Sequence, residues 1–379
     1  MRRDTKKIDK MRTEETSASE STELRKSVID AEEIAVAENE ITEAFQSRNI
    51  PPGEWHGLFN EVLKRHPQIN QYAPFFFEYL KGAIQRSQAL NSLWEDALDN
   101  NGRKSNTNQV AQYVYEYIFN RTPIGEIKVT KGKQAIIIET NEQEFDALRK
   151  LDPSAASVSE SGGVAGGYTL SVDIQTRLPD STFQEVRVPV IVQPATENKS
   201  WQNVVLHHES QHAFYNMYKQ SRYETMKGFQ KMTDDLRLPL PIKKTAERGE
   251  HSGIEEAAKD EVLALINGWL YVHEHNNKLD EGLKSDYFKN VLEELATGHY
   301  KDSYVRHFKD REAFDQQEYS RRISNALRSA LFLTKLYSHK YQGKGTVMAV
   351  NVLRSFPIKN WPGVVKLIER RGGAEVLHS

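Results

Sequence analysis

One short run in this sequence has the residue types and spacing to bind and use a metal ion: His208-Glu209-Ser210-Gln211-His212, the pattern H-E-x-x-H. On a helix, positions i and i+4 lie about 40° apart around the axis, so both imidazoles can grip one ion. Glu209 points about 100° away from His208, beside the ion rather than on it. There its carboxylate can take a proton from a metal-bound water. The surrounding residues suit a helix. Val204, Val205, His208, Gln211, His212 and Tyr215 form a stripe, and Asn198 or Ser200 can cap its start. The bland alternative is a pair of hydrogen-bonded, partly exposed helical histidines. His207 falls off the stripe and reads as a neighbour with no role.

A catalytic zinc ion usually takes three protein ligands and a water. The extended pattern H-E-x-x-H-x-x-G-x-x-H would need Gly at 215 and His at 218, where this chain has Tyr215 and Tyr218. The third ligand must come from another segment. Residues 253–269 are the strongest candidate, with Glu255, Glu256, Asp260 and Glu261 set amid Ala and Leu. At about 100° per residue, Ile254, Ala257, Ala258, Ala264, Leu265 and Gly268 lie within about 60° of Glu261. Such small apolar residues let another helix come close. Around Glu256 lie Ser252, Lys259, Asp260, Leu263 and Asn267, a more polar arc. Glu261 is therefore the expected inward-facing ligand. Glu256 lies about 140° away, so one ion cannot take both.

H-E-x-x-H followed at a distance by a Glu-bearing helix resembles the gluzincin arm of the zincin metallopeptidases, typified by thermolysin. The resemblance covers roughly residues 125–270. It implies a Zn²⁺ cofactor held by His208, His212 and a Glu, with Glu209 as general base in the hydrolysis of a peptide or protein substrate. The thermolysin spacing, a ligand Glu with an Asp four residues later, selects Glu256 and Asp260. The Lys-Asp-Glu pattern of small gluzincin-like proteins matches Lys259-Asp260-Glu261 and selects Glu261 instead. In either case Asp260 is a candidate to hold a ligand histidine. In a zincin-like sheet the strand nearest the cleft pairs with extended substrate. The glycines at 162–167 would then bring the backbone close to substrate, with Tyr168 as a substrate-binding residue; alternatively they form a flexible loop leading into a strand. Gluzincins also place a His or Tyr downstream as an oxyanion donor, for which His299, Tyr300, Tyr304 and His307 are candidates. Two other functions stay open: hydrolysis of a non-peptide amide, and a binding or adaptor protein of zincin shape with little activity.

The elements that must position these residues follow from the whole chain. Its 379 residues include no cysteine, which excludes a disulfide scaffold, a thiol nucleophile and thiolate ligands. With 38% hydrophobic and 27% charged residues, and a mean hydropathy of -0.67, no window reaches the roughly 18 apolar residues of a membrane span. A net charge of -2 creates no field that would draw nucleic acid or anionic lipid. The basic N-terminus has no apolar stretch behind it, so a cytoplasmic protein is expected. Residues 1–27 read as a disordered or frayed tail, 28–120 as a helical region, 121–275 as a zincin-like catalytic core and 276–379 as a second helical region. Within the core, 126–130 and 134–139 read as a hairpin, 142–150 as a helix, and 168–174 and 185–192 as strands. Pro189 argues that the last of these lies at an edge or carries a bulge. His273 and His275 diverge on a helix, so the segment around Glu274 reads as a solvated face. The expected fold class is α+β: a small, mostly antiparallel sheet packed on the H-E-x-x-H helix between two helical parts.

Overall fold

A computed structural model describes residues 28–41, 43–44, 54–67, 70, 73–100, 106–151, 166–177, 183–214, 217, 252–297 and 316–376. The fold is α+β, mostly helical with one small mixed sheet. In chain order the elements are α1 (residues 28–44), α2 (Trp55–Arg65), α3 (Ala73–Asn100), α4 (Thr107–Phe119), β1 (Ile127–Lys131), β2 (Ile136–Thr140), α5 (Glu142–Leu151), β3 (Tyr168–Arg177) and β4 (Phe183–Pro194). Then come α6 (residues 199–214), α7 (Ser252–His275), α8 (Leu279–Lys284), α9 (Asp286–Thr297), α10 (Gln316–Lys340), α11 (Gly345–Arg354) and, after one 3₁₀ turn, α12 (Trp361–Val376). The segment expected as a tail, residues 1–27, lies outside the described residues.

The strands run in the order β1-β2-β4-β3. The β1–β2 and β3–β4 pairings are antiparallel and β2–β4 is parallel. β4 is therefore an inner strand, not the edge that Pro189 suggested. Its pairing with β2 starts at Val190, opposite Ile136, so Pro189 sits one residue before a donor is needed on that side. The burial of β4 changes at the same point. Residues 183–188 alternate, whereas 188–193 are buried throughout, and from Val190 on the strand has a neighbour on both edges. One face of the sheet, with Ile138, Val188, Val190 and Val192, packs on α3, α4 and α5 through Leu90, Leu93, Tyr115 and Phe145. The opposite face carries the register pair Thr169 and Ile191.

A second core joins α7, α9, α10, α11 and α12, and α1 belongs to it as well. Val28, Ala31 and Ala35 are buried with Val262, Leu333 and Trp361. Glu32 of α1 accepts the Tyr337 hydroxyl at 2.9 Å and pairs with Arg371 at 2.6 Å. The other end of α1, at Ala37 and Ile41, packs instead with α2 and α3 through Trp55, Phe59 and Leu80. The first helix thus ties the N-terminal helices to the C-terminal ones. Glu274 departs from its expected solvated face. It is buried, and its carboxylate accepts the N–H groups of Gly345 and Thr346, at 2.7 and 2.8 Å, and the Ser338 hydroxyl at 2.8 Å. It caps α11 from a distant helix. Glu274→Ala strands two buried donors, so stability should fall by about 1–3 kcal/mol in a denaturant titration. An unchanged midpoint would show that water replaces the carboxylate at no cost.

Candidate metal centre

α6 starts where the chain leaves β4. Asn198 caps it: its side-chain oxygen accepts the Trp201 N–H at 3.0 Å, and its carbonyl accepts the Gln202 N–H at 3.0 Å. Two faces of this helix do different work. Val205 and Glu209 meet the start of β3, while Val204 and His208 meet α7. Helix periodicity puts both pairs where the sequence needs them, since 205 and 209, like 204 and 208, are four apart.

α7 runs antiparallel to α6, with Gly268 against Val204 and His208, and Asp260 and Glu261 against His212. At Gly268 the helices nearly touch. A Cβ there would stand 2.8 Å from the Val204 carbonyl oxygen and 2.9 Å from the His208 Cβ. One residue earlier, Asn267 Nδ2 donates to the His207 carbonyl at 3.0 Å and fixes the register of the two helices. Gly268→Ala must push backbone away from backbone, so it should destabilise the chain by about 1–3 kcal/mol despite alanine's better helix propensity. Gly57→Ala in α2 is the control, because a Cβ there meets nothing within 4 Å. Thermal melts should move in opposite directions for the two variants. A Gly268→Ala chain as stable as Gly57→Ala would show that the helices have room to spare.

This packing converges three side chains. The Nε2 atoms of His208 and His212 are 3.1 Å apart. Glu261 Oε1 lies 3.6 Å from His208 Nε2, and Oε2 lies 3.4 Å from His212 Nε2. Ligand atoms about 2.1 Å from a tetrahedral ion stand about 3.4 Å from one another. The two imidazole nitrogens and the carboxylate therefore fit one zinc-sized ion. No other trio of His, Asp and Glu among the described residues gathers in this way. Asp260 Oδ2 lies 3.0 Å from His212 Nδ1 and turns Nε2 toward the cluster. Burial alone would lower the pKa of His212, but the Asp260 and Glu261 carboxylates outweigh it and hold it well above the usual histidine range. Glu261 shows the converse. Burial would raise its pKa, and His208 and His212 bring it below the ordinary value.

Glu209 follows His208 on α6, is 5% exposed, and faces β3. The Thr169 hydroxyl is 2.9 Å from its Oε2. A Cβ at Gly167 would come within 2.8 Å of Val205 and 3.1 Å of the Glu209 Cγ, so that position must stay bare for the carboxylate to fit. The Tyr168 ring lies elsewhere. It packs on Phe145, with ring centroids 5.8 Å apart, on the sheet face away from Glu209. What residue 168 can offer near Glu209 is backbone, not its side chain. His207 also has a place in the packing: its ring lies against that of Tyr271, tilted by 44° with centroids 4.3 Å apart, and burial together with His275 pushes its pKa down to about 4.

Thr169 was not singled out in the sequence. The signal was faint: Tyr168, Leu170, Val172 and Ile174 alternate toward the core, which leaves Thr169 on the other face. The side chain of Glu256 and the oxyanion candidates His299, Tyr300, Tyr304 and His307 lie outside the described residues. No helix among the described residues is long and apolar enough to cross a membrane. No protein-family model matches this chain, and comparison with curated proteins and with solved structures finds no match.

Proposed function

We propose that the chain is a zinc-dependent peptidase whose sheet, α6 and α7 form a zincin-like core. The observation that carries this reading is the convergence of His208, His212 and Glu261, with a separate carboxylate, Glu209, next to His208 on the same helix and outside the trio. A bound zinc ion would supply Lewis-acid polarisation of a carbonyl and a lowered water pKa. His208, His212 and Glu261 would hold it, and Asp260 would orient the His212 ring. Glu209 accepts the proton of the attacking water as the new C–O bond forms. It then returns that proton to the leaving nitrogen as the C–N bond breaks. Among the described residues β3 ends the sheet on this side, and an extended peptide pairing with its outer edge would bring a carbonyl to the site.

Metal analysis tests the reading first. One zinc per chain should copurify with wild type, and His208→Ala should lose most of it, because two ligands hold the ion far more weakly than three. Zinc uptake by the metal-free chain must also displace the proton that Asp260 and Glu261 hold on His212. That proton is bound below the raised pKa, so zinc competes with it there and affinity should rise about tenfold per pH unit. Binding isotherms at several pH values would give the slope. A chain that takes up no zinc at any pH removes the basis of the proposal.

A further inference from the structure

We propose that Thr169 is a positioning residue for Glu209, through a hydrogen bond from its Oγ1 to the Glu209 Oε2. The inference rests on the peptidase reading and adds to it the strand that aims the base. Thr169 Oγ1 lies 2.9 Å from Glu209 Oε2 and 3.0 Å from the Glu209 backbone carbonyl. A hydroxyl has one hydrogen to give, and the charged carboxylate is the stronger acceptor. The second contact places Oγ1 against the helix as well, so the donor itself is fixed.

The chain is shaped around Glu209 at two positions, Gly167 just before β3 and Thr169 within it. Gly167 leaves the space that the Glu209 Cγ occupies, and Thr169 meets the end of the same side chain. The strand is held in turn. Thr169 stands in register with Ile191 of the buried half of β4, which pairs with β2 beyond. The carboxylate is thus anchored to the sheet through Thr169. A glutamate left to itself spreads over several rotamers, and few of them point one oxygen at a water beside the histidines. With Oε2 engaged by Thr169, Oε1 is the oxygen that takes the water's proton.

The test compares zinc-loaded, full-length wild type with Thr169→Val, which keeps the shape and loses the hydroxyl, and with Thr169→Ser, which keeps the hydroxyl. Thr169→Ala is the hydroxyl-free substitute if the valine chain does not fold. The zinc content should be equal in all. For a peptide that wild type cleaves, kcat should fall about 10- to 100-fold in Thr169→Val with KM unchanged, and Thr169→Ser should recover it. Crystal structures should show Glu209 Oε2 bonded to residue 169 in wild type and Thr169→Ser, and turned away or spread over rotamers in Thr169→Val. An equal kcat in all three, a loss of zinc in Thr169→Val, or a Glu209 that stays in place without the hydroxyl overturns the proposal. If wild type cleaves no peptide, the peptidase reading fails on that result. The crystallographic comparison then still decides whether Thr169 positions Glu209.

Discussion

If the chain is the zinc peptidase proposed above, Glu209→Gln should leave the fold and the zinc content intact and lower peptide turnover by about 10²- to 10⁴-fold. The expectation follows from where Glu209 sits. It lies outside the trio that could hold a metal, so its replacement should subtract nothing from metal binding. Glutamine matches its shape, fits the space beside Gly167 and can still accept the Thr169 hydroxyl through its amide oxygen. What it lacks is any atom able to take a proton at neutral pH. The loss should therefore fall on kcat, with KM nearly unchanged, since the base acts on the transition state and not on substrate binding. Zinc content, a thermal melt and steady-state rates on one cleaved peptide suffice. A variant as fast as wild type would place the base elsewhere, and a variant without zinc would make Glu209 a structural support of the centre. A wild type that cleaves nothing across a broad peptide library would favour a binding or adaptor protein.

The sequence made the local parts of this site legible and hid the parts that depend on distant contacts. H-E-x-x-H carries its geometry in its spacing, so the convergence of the two imidazoles is readable without a structure. The small-residue stripe on α7 was readable too, and the structure sets Gly268 of that stripe against His208. Strand and helix positions in the core also followed from the switch between alternation and helical periodicity. Strand order did not. Pro189 looked like an edge residue because a missing N–H is a local fact, whereas the point where β2 joins β4 depends on the whole sheet. Glu274 looked solvated because its flanking histidines diverge, yet its partners at Ser338, Gly345 and Thr346 are more than 60 residues away. The docking of α1 on the C-terminal helices is of the same kind, since Glu32 and Arg371 stand at opposite ends of the chain. A single sequence with its periodicities holds no trace of such pairings.

The third ligand is the second large expected effect: Glu261→Ala should lose most of the bound zinc while Glu256→Ala keeps it. The two glutamates are five residues apart on one helix, about 140° around its axis, so α7 can turn only one of them toward α6. The face it turns is marked at three places. Gly268 touches the His208 backbone, Ala264 is fully buried, and Glu261 itself lies 3.4 Å from His212 Nε2. Asp260 stands about 100° from Glu261, and it reaches the far nitrogen of His212 and not the near one. That division of labour predicts a graded series. Under the proposed reading, removing Glu261 takes one of three ligands and should cost most of the metal. Asp260→Asn loosens the ring of a ligand without removing one, and should weaken zinc binding about 10- to 100-fold. Glu256→Ala should match wild type within error. The series is read by zinc content after dialysis and by affinity against a competing chelator, with circular dichroism to show that every chain is folded. Zinc lost with Glu256 and retained without Glu261 would mean that α7 presents its opposite face to α6. It would also mean that the contact at Gly268 is not the one that builds the centre.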